Sequence, residues 1–118
     1  MLNNWTELLA KVRSAAMTFG KANPKFVAAY RGLNEAQAAG SVLDAKTREL
    51  IALAVAVTTR CDGCIASHVE AARKAGVTQA ELSEALGTAI ALNAGAAYVY
   101  SVRAMEAFGQ FEEVAPAK

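Results

Sequence analysis

An all-α fold, a compact bundle of about six helices in one domain spanning residues 1–118, is predicted by three observations. Alanine, the strongest helix former, supplies 28 of the 118 residues. Only two prolines occur, and both lie outside the apolar segments. Apolar residues recur at helical spacing between cap and stop residues, so almost no strand is expected. A chain of this length buries a core without disulfide staples or a structural metal.

Asn3 or Asn4 can cap a first helix whose apolar positions are Trp5, Leu8, Leu9, Val12 and Ala16, ending near Phe19-Gly20. Asn23-Pro24 restarts the chain as a cap followed by a first-turn proline, and the second helix should run to about Ala39, with Gly40 as its stop. Asp44 caps a third helix that continues into Leu50-Ile51-Ala52-Leu53-Ala54-Val55-Ala56-Val57. That run is apolar on every side, which fits a central helix or a subunit interface. Its β-branched ending admits a strand, but the cap before it and the alanines within it favour a helix closing at Thr58-Thr59-Arg60.

A fourth helix begins around Asp62 and stops at Ala75-Gly76. Thr78-Gln79-Ala80-Glu81 is a capping box that opens a fifth, expected to reach about Leu92 before a break at Asn93-Ala94-Gly95. A sixth follows from Ala96 toward Phe108-Gly109, and a polar tail from Glu112 to Lys118 is expected to fray. The apolar stretch Ala85–Tyr100 is short for a membrane span and carries Gly87, Asn93 and Gly95, so it reads as a buried helix.

Twelve basic and eleven acidic residues leave a net charge of +1 without a basic run, which speaks against nucleic-acid binding. The first residues lack the charged and apolar pattern of a secretory signal, so a cytoplasmic location is expected. In that reducing compartment a CxxC pair signals redox or metal chemistry before a structural bridge.

The chain has two cysteines and one histidine, and they are concentrated at Cys61, Cys64 and His68. At i, i+3 and i+7 they share one helix face. The thiolate is the reactive form of cysteine, and a helix start, a neighbouring thiol and a base at His68 all favour it. Glu49 is the candidate to orient that base. It lies about 15 Å from the end of the third helix and His68 about 9 Å into the fourth, so antiparallel packing brings them to similar depth. Zinc held by Cys61, Cys64, His68 and Glu49 is an alternative, although the usual second ligand pair is missing. Glu49 paired with Lys46 on a solvated face, Tyr98 and Tyr100 as packing residues, and an idle surface CxxC are the plainer readings.

Glu49, eleven residues, Cys61-x-x-Cys64, three residues and His68 resembles the signature of the alkyl hydroperoxidase D-like branch of the carboxymuconolactone decarboxylase family. Lys46-Thr47-Arg48-Glu49-Leu50-Ile51-Ala52-Leu53-Ala54-Val55 before the motif and Ala75-Gly76-Val77-Thr78 after it agree. The resemblance implies an all-α homo-oligomer, commonly a trimer or hexamer. It implies reduction of hydroperoxides, or of a partner's disulfide, without cofactor or metal. Cys64 would attack the peroxide, Cys61 would close the disulfide, and Glu49 with His68 would relay protons. Electrons would return from a dithiol donor such as a lipoyl or thioredoxin-like protein. Some peroxidase members carry a second histidine between the cysteines, where this chain has Asp62 and Gly63; a carboxylate there opposes thiolate formation. Lactone decarboxylation and a redox- or zinc-responsive assembly module are the alternative functions.

Overall fold

The computed structural model describes residues 2–114, with side chains described as far as Phe111. Asn4 accepts the Glu7 amide at 3.2 Å and opens α1, Trp5–Ala22. In α2, Pro24–Ala38, proline holds the first position, but Asn23 makes no side-chain cap bond. Its amide donates to the Phe19 carbonyl at 2.9 Å instead, and Phe19 meets Phe26 edge to face across the corner with ring centres 6.1 Å apart.

Asp44 accepts the Thr47 amide at 2.8 Å and begins α3, Ala45–Thr59. Hydrogen bonds from the Thr47 hydroxyl and amide hold the Asp44 carboxyl below its ordinary value. Arg48 reaches back to the carbonyls of Gly40 and Leu43, at 2.6 and 3.0 Å, and ties the preceding loop to α3. α4 follows at Asp62–Lys74, then α5 at Gln79–Val114. The capping box before α5 is complete: the Glu81 amide donates to Thr78 Oγ1 at 3.1 Å and the Thr78 amide to Glu81 Oε1 at 2.9 Å. Lys46 pairs with Glu81 at 2.9 Å, which joins the starts of α3 and α5.

All the regular structure among the described residues is helical, with five helices where six are expected. The break at Asn93-Ala94-Gly95 is absent. Asn93 Nδ2 donates to the Ala89 carbonyl at 2.8 Å and to Thr58 Oγ1 at 2.9 Å, so the amide latches α5 to α3 from within a continuous helix. One interior glycine costs about 1 kcal/mol against alanine, which the neighbouring alanines and this latch outweigh. The tail also differs, since the α5 backbone stays helical to Val114; residues 115–118 lie outside those described.

α3 is the central helix, packed against α4 on one side and α5 on the other, while α1 covers α4 and α2 packs on α1. The core consists of Leu9, Leu53, Ala56, Ala66, Ala72 and Ala89. Four of these six come from α3 and α4, with Leu9 added by α1 and Ala89 by α5, and the alanines let the helix axes approach closely. α3 is not enclosed on all sides, because Ile51 and Val55 are half exposed.

The apolar stretch Ala85–Tyr100 is buried within the protomer only at its start, where Ala89 joins the core, and not throughout as expected. From Ile90 to Phe108 every residue is exposed, including Tyr98, Tyr100, Met105 and Phe108. The reason is geometric: 36 residues of helix extend about 54 Å, past the ends of the shorter helices it packs on. Compactness therefore belongs to α1, α3, α4 and the first half of α5. The whole chain has a radius of gyration of 20.3 Å, against about 13.5 Å for a compact domain of this length. Its accessible surface is 9569 Å², against about 6,100 Å² for a compact monomer of its mass. Without the expected interruptions, α5 is long and apolar enough by length and composition to cross a membrane.

Candidate redox site

The junction between α3 and α4 sets the site. α3 ends in a Schellman turn, in which the Cys61 amide donates to the Ala56 carbonyl at 3.1 Å and the Arg60 amide to the Val57 carbonyl at 3.3 Å. Arg60 takes the left-handed conformation that this turn demands, with φ 55° and ψ 49°. Cys61 thus ends one helix and caps the next: its Sγ accepts the Cys64 amide at 3.2 Å. That sulfur therefore sits at the N-terminus of α4, where negative charge is favoured.

Cys61 and Cys64 are joined as a disulfide, with Cα atoms 5.2 Å apart, and both are partly buried. This is the oxidised state of a dithiol one helical turn long. His68 lies one turn beyond Cys64 on α4 and is partly buried. Its Nδ1 faces Glu49 Oε2 on α3 at 2.7 Å, with the two side chains 32% and 19% exposed. A carboxylate accepts, so Nδ1 donates in this pair, and in the neutral ring the lone pair that can take a proton is then on Nε2. The structure therefore joins Cys61 to Cys64 and Glu49 to His68, with His68 one helical turn beyond Cys64, and Glu49 does not pair with Lys46, which meets Glu81 instead.

Among the described residues no three or more His, Cys, Asp or Glu side chains converge as metal ligands. In the bridged state each cysteine sulfur is bonded to the other.

Two features of the site were not read from the sequence. Gly63 faces α1, where a Cβ would stand 3.3 Å from Val12 Cγ1. Glycine lets α1 close against the redox turn, and any side chain at this position would need Val12 to give way by a few tenths of an ångström. The pairing of α1 with α4 is a tertiary fact, and nothing local to Cys61-Asp62-Gly63-Cys64 signals it. The second is the conformation of Arg60, which residue type also conceals, since glycine is the usual marker of a left-handed cap.

An open groove between α1 and α4 begins just beyond Cys64. Trp5, Leu9, Ile65 and Val69 line it, and an ion pair between Arg13 and Glu70 at 2.9 Å crosses it. Hydrogen bonding from Arg13, ahead of its charge and that of Lys74, holds the Glu70 carboxyl below its ordinary value.

Residues 24–107 match the profile of the Carboxymuconolactone decarboxylase family. An uncharacterized protein of Haemophilus influenzae is 58% identical over 108 residues, covering 92% of this chain and 96% of its own length. Uncharacterized protein 4 in the cox locus of Paracoccus denitrificans is 33% identical, over 88% of this chain and 94% of its own. Among solved structures, an apo carboxymuconolactone decarboxylase family protein from Legionella pneumophila superposes with a TM-score of 0.72 at 34% identity. The match covers 91% of this chain and 96% of that one.

Proposed function

Because the chain belongs to the carboxymuconolactone decarboxylase family, which includes decarboxylases and peroxidases, we propose that it works as a thiol-dependent peroxidase and disulfide oxidoreductase of the alkyl hydroperoxidase D-like type. The observation that carries this reading is the contact of His68 Nδ1 with Glu49 at 2.7 Å beside a bridged Cys61–Cys64 pair. A neutral imidazole oriented by a carboxylate is a general base, and the nearest acidic protons on its own helix face are those of the reduced thiols.

In the forward half-reaction His68 takes the Cys64 proton, and the thiolate attacks the terminal peroxide oxygen. The O–O bond breaks, an alcohol leaves with a proton, and Cys64 becomes a sulfenic acid. The Cys61 thiol then attacks that sulfur and expels water, closing the disulfide. A dithiol donor returns two electrons and two protons, restores both thiols and leaves as its own disulfide. The apolar groove beside Ile65 suits a hydroperoxide with a hydrocarbon substituent.

A homo-oligomer, trimer or hexamer, belongs to the same proposal. The surface excess over a compact monomer is about 3,500 Å², the size that an obligate interface buries. Arg103, Glu106 and Gln110 interrupt the apolar surface of α5, which fits a second copy of the chain better than a lipid bilayer. A cytoplasmic location remains part of the reading.

Consumption of cumene hydroperoxide by reduced protein, with dihydrolipoamide as donor, tests the proposal. Turnover should vanish in Cys64→Ser and in Cys61→Ser, and full activity in Cys64→Ser would refute it. Activity on a carboxymuconolactone that survives thiol alkylation would favour the decarboxylase reading instead.

A further inference from the structure

The chain makes the same Schellman turn twice, with different residues at its left-handed position. At the end of α4 the Val77 amide donates to the Ala72 carbonyl at 3.0 Å and the Gly76 amide to the Arg73 carbonyl at 3.1 Å, and glycine supplies φ 86°. At the end of α3 the matching bonds, 3.1 and 3.3 Å, close around Arg60. Among the described residues Arg60 is the one non-glycine residue with positive φ. An L side chain is disfavoured there and glycine is not. Strained residues persist where their side chain has a task, and this one immediately precedes Cys61.

Arg60 is exposed, and no described carboxylate lies within ion-pair distance of it. On the other side of Cys61, Asp62 is exposed in the first turn of α4, where the helix amides partly offset its charge. Arg60 is thus an uncommitted cation whose backbone is held next to Cys61 by a turn that glycine would make more easily.

We infer that Arg60 is a specificity residue for the electron donor, and that it selects dithiols that carry a carboxylate over their uncharged counterparts. The inference rests on the redox reading above. A donor thiolate attacks the Cys61–Cys64 bond and displaces one cysteine sulfur, forming a mixed disulfide. The donor's second thiol then displaces the other cysteine sulfur. Two cysteine thiols and a cyclic donor disulfide result, with both electrons and both protons supplied by the donor. Throughout, the guanidinium holds the donor's carboxylate by charge-assisted hydrogen bonds.

Dihydrolipoate and dihydrolipoamide have the same dithiol and differ by carboxylate against amide. Stopped-flow reduction of the oxidised full chain by each, at low salt, reads the ratio of their rates. The ratio should fall about two- to fivefold in Arg60→Gly, the scale of one exposed ion pair. It should recover in part in Arg60→Lys, rise in Asp62→Asn, and shrink toward that of Arg60→Gly as salt is added to wild type. Arg60→Gly should melt at or above the wild-type temperature, since glycine suits the turn. An unchanged ratio in Arg60→Gly, an equal loss for both donors, or a lowered melting temperature would each overturn the inference while leaving the redox reading intact. Failure of both donors to reduce the wild-type disulfide would overturn both.

Discussion

Replacing Glu49 by glutamine isolates the charge of the carboxylate from its shape. Glutamine can still accept a hydrogen bond from His68 Nδ1, so the imidazole keeps its orientation. What is lost is the negative charge 2.7 Å from a ring that becomes cationic when it takes the thiol proton. A hydrogen bond to a charged group contributes about 1.5–3 kcal/mol and a neutral one about 0.5–1.5 kcal/mol, so the change costs about 1–1.5 kcal/mol in the transition state. That corresponds to about a five- to twelvefold slower reaction. The pair is 19% and 32% exposed, so water screens part of the interaction and the lower end is expected. The assay is single-turnover oxidation of pre-reduced protein by cumene hydroperoxide, read by loss of titratable thiol. In a His68→Ala background the same change should have little further effect, because Glu49 acts through His68. A change of less than twofold in Glu49→Gln, or an undiminished loss in the His68→Ala background, would refute this division of roles.

Three further outcomes follow from the packing. Gly63→Ala should be tolerated with a small loss of thermal stability and Gly63→His should lose more, since a Cβ there meets Val12 at 3.3 Å; trimming Val12→Ala should recover part of the loss, as read by thermal melts. Leu53→Ala should destabilise by about 2–5 kcal/mol, because among the described residues Leu53 is the one large side chain that is fully buried, and denaturant midpoints check it. Glu81 is held below its ordinary value first by hydrogen bonding from Lys46 and then by Thr78. A carboxylate depressed in the folded state adds stability that is present above its unfolded value, near 4.5, and is lost as pH falls through the lower folded value. The acid limb of the melting curve should therefore flatten in Glu81→Gln, and a limb identical to wild type would contradict the assignment.

Much of the fold was legible because cap chemistry is local. Asp44, Asn4 and the Thr78–Glu81 box act over three residues, and each starts a helix where its spacing says it should. Asn93-Ala94-Gly95 misled for a related reason. Asparagine and glycine mark helix ends only when the amide has no better partner, and Thr58, thirty-five residues away, supplies one. Asn23 shows the converse, a residue at a cap position whose side chain is not used. Arg60 adopts a backbone conformation that its residue type argues against, so it is visible in the tertiary structure and not in the sequence.

By itself the sequence determined the helical class, most helix starts, and the grouping of Cys61, Cys64 and His68 on one face, because these depend on residue spacing along a helix of known pitch. It also placed Glu49 within reach, since antiparallel packing of two helices joined by a short turn equalises their depth. Only the tertiary structure decided that Glu49 touches His68 directly, that Val12 closes on Gly63, and that the apolar half of α5 stands clear of its own protomer. Those outcomes depend on which helix faces meet across the chain, and no periodicity within one segment records its partner. Hydropathy marked residues 85–100 for burial, but only the placement of the helices showed that the protomer buries Ala89 and leaves residues 90–100 exposed.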